Sequence, residues 1–152
     1  MQGIRWLCTL NQGDIRMNIK RFLLAFVAVY VVYQVLGFLI HGMWLDPVYQ
    51  SIADVFRPRA QMDSMMWVMF VTSAVLVLMF CYIFTRGYEG RGVGEGARYG
   101  LYMGLFFSVA QAFDSYVIYP LPYHLVLKWF LSGMVVFIVM GIVLALVYKP
   151  AE

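Results

Sequence analysis

Apolar residues fall into four long runs, at 22–40, 65–84, 99–119 and 125–148, and the links between them hold most of the charge, Gly and Pro. Each run is about 20 residues, which at about 1.5 Å rise per residue covers the ~30 Å hydrocarbon core of a bilayer. Backbone N–H and C=O groups in lipid must be paired within their own segment, so the runs predict helices over about 22–41, 65–85, 97–118 and 124–148. The predicted fold class is all-α: an integral membrane four-helix antiparallel bundle, one transmembrane domain over residues 17–152. Residues 1–16 are polar and unpatterned, and read as an extension ahead of a natural start at Met17.

The links carry their own signals. Asp46 and Pro47 suit the N-cap and first position of a short helix between the first two runs. Val48, Ile52, Val55 and Phe56 then share one face, as in a helix lying along the membrane interface. Asp63 and Ser64 suit the cap of the second long helix. The link over 86–96 is rich in Gly and charge but lacks the spacing and preceding strand of a phosphate cradle, so it reads as a flexible turn. Pro120 and Pro122 make the last link tight, which predicts that the third and fourth helices are antiparallel neighbours.

Composition excludes a soluble domain. The chain has 152 residues, 63% hydrophobic and 12% charged, far more apolar side chains than a soluble core could enclose. Lys20, Arg21, Arg86, Arg91, Arg98 and Lys149 flank the helices on one side, joined by Arg5 and Arg16, against Arg57, Arg59 and Lys128 on the other. The positive-inside rule therefore puts both termini in the cytoplasm. The net charge of +3 follows from that topology, and no basic stripe suggests nucleic acid. The expected partner is the lipid bilayer. Cys8 and Cys81 both fall toward the cytoplasmic side, so neither a disulfide nor a zinc site is expected.

Candidate chemistry concentrates in the third segment. Gly96, Gly100, Gly104 and Ser108 repeat every four residues, the spacing that lets membrane helices approach closely. This face is a candidate contact for another helix or a second copy of the chain. Asp114 is the only acidic side chain inside an apolar run, and with Gln111 it falls on the side of Gly96 at about 100° per residue. An intramembrane carboxylate is expected to face the bundle interior with a partner. Gln34 and His41 align on the first segment, and Lys128 lies one turn into the fourth. Together Gln34, His41, Gln111, Asp114 and Lys128 make a candidate outer-leaflet ligand pocket, with polar glue inside the bundle as the other reading.

No cofactor is the leading expectation, and two metal readings stand beside it. His41 and His124, the two histidines, would serve as paired axial ligands of a haem. Met62 and Met66, within a cluster that includes Met65 and Met69, would offer Cu(I) soft thioether ligands. Trp44, Trp67, Tyr123 and Trp129 read as an aromatic belt. No nucleophilic triad or carboxylate pair is present, so a non-enzymatic binding, transport or accessory subunit is the expected role. A haem- or quinone-linked redox protein and a purely structural subunit are the alternatives.

Four stretches carry a resemblance: His-Gly-Met-Trp-Leu-Asp at 41–46, Gly-Leu-Tyr-Met-Gly-Leu-Phe at 100–106, Phe-Asp-Ser-Tyr at 113–116 and Lys-Trp-Phe-Leu-Ser-Gly at 128–133. In these and in architecture over about 17–150 the chain resembles families of small uncharacterised four-helix bacterial inner-membrane proteins. The resemblance implies a bacterial inner-membrane location and a polar-aromatic motif ending the first helix.

Overall fold

The two most closely packed helices are the last two, and glycine makes that possible. The computed structural model describes residues 18–148; the expectations for residues 1–16, with Arg5, Cys8 and Arg16, and for Lys149 lie outside the described residues. Its helices are α1 (Ile19–Gly37), continued by a π-helical segment (Phe38–Trp44), the short α2 (Asp46–Ser51), then α3 (Arg59–Arg86), α4 (Val93–Ile118) and α5 (Tyr123–Val147). Four of these, counting α1 with its π-helical extension, are long and apolar enough to cross a membrane. The bundle is all-helical among the described residues.

Gly96, Gly100, Gly104, Ser108 and Ala112 form the buried ridge of α4. Opposite them on α5 lie Gly141 and Ala145 against Gly96, Phe137 against Gly100, Met134 and Phe137 against Gly104, and Gly133 against Ser108. Both helices thus offer rows spaced by four residues, the right-handed close-packing arrangement of small-residue membrane pairs. Apolar side chains gain little by leaving lipid tails for one another, so this fit stabilises mainly through van der Waals contact.

The remaining contacts form two cores. One joins α1, α3 and α5 through Phe22, Ala25, Val29, Val77, Phe80, Cys81, Phe84, Met140 and Leu144. Tyr99 of α4 stacks obliquely on Phe80 and Phe84, and its hydroxyl donates to the Phe80 carbonyl at 2.7 Å. The second core lies at the opposite end, called here the His41 end, and is built from Leu45, Ala112, Leu121, Leu125 and Val126. Val48, Tyr49, Ile52, Val55 and Phe56 of the short helix and its 3-10 extension pack onto it, so the predicted apolar face of this link is used.

No residue of α3 belongs to the second core. Residues 59–72 of α3 are exposed on every side, while α3 joins the bundle from Ser73 onward. The half of α3 nearer the His41 end therefore stands away from α4. The helix also starts at Arg59, six residues ahead of the apolar run, because Pro58 supplies the extended entry and Arg59, Ala60, Gln61 and Met62 are good helix formers. Asp63 and Ser64 accordingly sit within the helix and do not cap it. Likewise α1 begins at Ile19, where the Asn18 side chain accepts from the Arg21 N–H at 3.2 Å. Hydropathy marks the lipid-facing span, whereas caps and propensity mark the helix ends.

The glycine-rich link is held in place by one side chain. Glu95, 6% exposed, accepts from the backbone N–H of Glu89 at 2.6 Å and of Arg91 at 2.8 Å. Gly90 and Gly92 adopt φ of 77° and 69°, which L side chains reach only at a cost, and this explains glycine at both. Arg91 and Arg98 both pair with Glu89.

Candidate functional sites at two places on the bundle

The polar residues singled out in the sequence occupy three locations. Gln34 lies between α1 and α3, where its Nε2 donates to Ser73 Oγ at 3.0 Å; Ser73 in turn donates to the Phe70 carbonyl. This is an interhelical tie in mid-bundle, next to a second one from the Tyr30 hydroxyl to the Phe70 carbonyl.

His41 and Lys128 belong to a polar-aromatic cluster at the His41 end. His41 sits in the π-helical segment, flanked by Gly37 and Gly42, whose low helix propensity eases the wider turn. Its Nδ1 lies 2.6 Å from the Tyr49 hydroxyl, and Trp129 Nε1–H donates to the same hydroxyl at 2.8 Å. The Tyr49 hydroxyl thus accepts from Trp129 and shares a hydrogen with His41 Nδ1, joining the π-helical segment, the short helix and α5 at one atom. Burial raises the Tyr49 pKa above the ordinary tyrosine value, and the Trp129 bond opposes that rise. The Lys128 ammonium stands 5.4 Å from the Trp44 ring centroid, a cation–π contact. Asp46 accepts from Gln50 at 2.6 Å and faces Arg59 at 3.8 Å.

Gln111 and Asp114 lie elsewhere, both exposed on α4. Asp114 has neither a hydrogen bond nor an ion pair among the described residues, and the structure does not join it to His41 or Lys128. The expectation of an inward carboxylate is corrected by the inclination of the contact ridge. Four residues advance about 400°, so the row from Gly96 to Ala112 drifts about 160° around the helix. Asp114 keeps the direction of Gly96, but by that level α5 has moved to the other side.

That direction leads to α3. A groove of about 250 Å³, open on one side, lies between Thr72, Val75, Leu76, Met79, Phe80 and Ile83 of α3 and Met103 and Phe107 of α4. Met103, Phe107, Gln111 and Asp114 fall within an arc of about 80° of α4, with Gln111 and Asp114 beyond the lining of the groove. On α3 the same face continues toward the His41 end through Thr72, Met69 and Met65. The floor includes Phe107, stacked on Phe137 of α5 with ring centroids 5.6 Å apart.

His41 Nδ1 is engaged by Tyr49, while His124 is exposed in the first turn of α5. Met62 and Met66 are exposed on the free half of α3, where Arg57 reaches the neighbouring Met65 sulfur at 3.5 Å.

Sequence reasoning did not single out Tyr49, the hub of the polar-aromatic cluster, although it shares a face with Ile52 and Phe56 at helical spacing. It also passed over Gly133 and Gly141, whose eight-residue separation is the signature of a ridge complementary to that of α4.

The architecture defines a multi-pass α-helical membrane protein in contact with lipid. No family model, curated protein or solved structure matches the chain.

Proposed function

We propose that the protein is a non-enzymatic binding subunit of the bacterial inner membrane, both termini cytoplasmic, with the α3–α4 groove, which runs from mid-membrane toward the cytoplasmic side, as its lateral binding site. The observation that carries this reading is the groove itself, open on one side between α3 and α4 and walled by apolar side chains with Thr72 at one end. Apolar walls with few convergent polar groups are the usual makeup of a ligand site. The cluster of His41, Tyr49, Trp129, Trp44 and Lys128 caps the same end of the bundle and, on this reading, fixes the helices at the interface. The Glu95-held link would then lie on the cytoplasmic side.

Filling the groove tests the proposal. Leu76→Trp and Met103→Trp should each abolish saturable binding of a lipophilic fluorescent probe, nonylphenyl naphthylamine, to the purified protein. Leu105→Trp, on the opposite side of α4, should leave it intact. Equal effects from all three would contradict the assignment.

A further inference from the structure

Contacts at the joined end of α3 and α4 fix the register of the end where they part. Tyr99 of α4 lies against Phe80 of α3 with ring centroids 4.7 Å apart. Antiparallel helices rise equally, at about 1.5 Å per residue, so each step along α4 is matched by a step back along α3. Met103 then falls level with Leu76 and Phe107 with Thr72, and all four line the groove. The same count puts Asp114 level with Met65. At about 100° per residue Asp114 points between the directions of Met103 and Phe107, and Met65 between those of Leu76 and Thr72. These two positions therefore face each other across the splay of α3.

Opposite charges stand there. Asp114 is exposed and has no ion pair among the described residues. Arg57, just ahead of α3, is exposed and rests its Nη1 on the Met65 sulfur at 3.5 Å, also without an ion pair among the described residues. A thioether is a weak acceptor for a guanidinium. The other charges at this end are turned elsewhere: Arg59 faces Asp46 at 3.8 Å, and Lys128 stands over Trp44. Asp63 lies on the opposite side of α3 from Met65.

The splay also has a joint. Every residue from 59 to 72 is exposed, and Ser73 is buried. At this boundary three successive carbonyls of α3 take hydroxyl hydrogen bonds. Thr72 Oγ1 is shared between the carbonyls of Val68 at 2.9 Å and Met69 at 3.2 Å, and Ser73 Oγ donates to that of Phe70 at 2.9 Å. Tyr30 and Gln34 tie the same point to α1. Hydroxyls that bond back to helix carbonyls weaken the ladder and bend the helix. We propose that the start of α3, from Arg59 to Trp67, is an arm that hinges at Val68–Ser73 and closes onto α4, latched by an Arg57–Asp114 ion pair. Apolar contact between lipid-facing helices gains little, so the paired charges supply the preference for the closed state. Closing covers the Thr72 end of the groove, and the movement is independent of what the groove holds.

The test is double electron–electron resonance on the full chain in phosphatidylcholine nanodiscs, with Cys8→Ser and Cys81→Ala removing the native thiols. Spin labels on Ser64→Cys and Val117→Cys should give two populations, a longer and a shorter distance. A reference pair at the joined end, Ile83→Cys with Tyr102→Cys, should give one narrow population. Arg57→Gln and Asp114→Asn should each reduce the shorter population about fivefold relative to the longer. Exchanging the charges, Arg57→Asp with Asp114→Arg, should restore it, with circular dichroism confirming that every variant folds. A single population at the Ser64 pair in the native chain would overturn the hinge. Two populations that ignore the charge changes would overturn the latch, and an equal spread at the reference pair would overturn the joint at Val68–Ser73.

Discussion

Gly96 of α4 and Gly141 of α5 meet backbone to backbone: a Cβ on either would collide with the carbonyl oxygen of the other. The constraint is mutual, so neither helix can relieve it by moving a side chain. Gly96→Ala or Gly141→Ala should therefore destabilise the bundle by about 1–3 kcal/mol, as overpacking does. Gly94→Ala, in the first turn of α4 with open space around it, should have little effect. Unfolding midpoints in a detergent titration would show the contrast.

Tyr49 links three elements through its hydroxyl, so Tyr49→Phe removes two hydrogen bonds at once. A loss of about 1–3 kcal/mol is expected at neutral pH, at about 0.5–1.5 kcal/mol per bond. The pH dependence has a definite sign. Because burial raises the folded pKa of Tyr49, its contribution is fully present below the unfolded value of about 10 and is lost as pH rises through the folded value. The stability difference between the native chain and Tyr49→Phe should hold steady from about pH 7 to 9 and shrink above about 10, measured by thermal unfolding across that range.

Glu95 holds the glycine-rich link by accepting two backbone N–H groups. Glu95→Ala leaves the donors of Glu89 and Arg91 unpaired, a cost of about 1–3 kcal/mol if they remain buried. The link should instead open, and tryptic cleavage after Arg91 should accelerate at least several-fold relative to the native chain. Unchanged cleavage would mean that the two glycines alone fix the turn.

Much of this architecture is legible in the residues, and the reasons for the exceptions are physical. The apolar runs reveal the four long helices because lipid leaves the backbone no alternative, and Val48, Ile52 and Phe56 mark the packed face of the short link. The glycine ladder of α4 is equally plain. Asp114 is not, because an ideal helical wheel fixes its direction but says nothing of which neighbour occupies that direction at that depth. The ridge has turned away from Gly96 by the level of Ala112, and only the packed pair shows it. The splay of α3 is also invisible in sequence, since Met65, Trp67, Met69 and Phe70 suit lipid as well as they suit a core. Tyr49 and Trp129 are 80 residues apart, and no local pattern ties them together.

The α3–α4 groove as a binding site is the central claim, and native mass spectrometry of the mildly extracted protein tests it most directly. The native chain should retain one bound amphiphile at near-stoichiometric occupancy, and Leu76→Trp should release it while Leu105→Trp does not. A ligand-free native chain, or the same occupancy in all three proteins, would contradict the account.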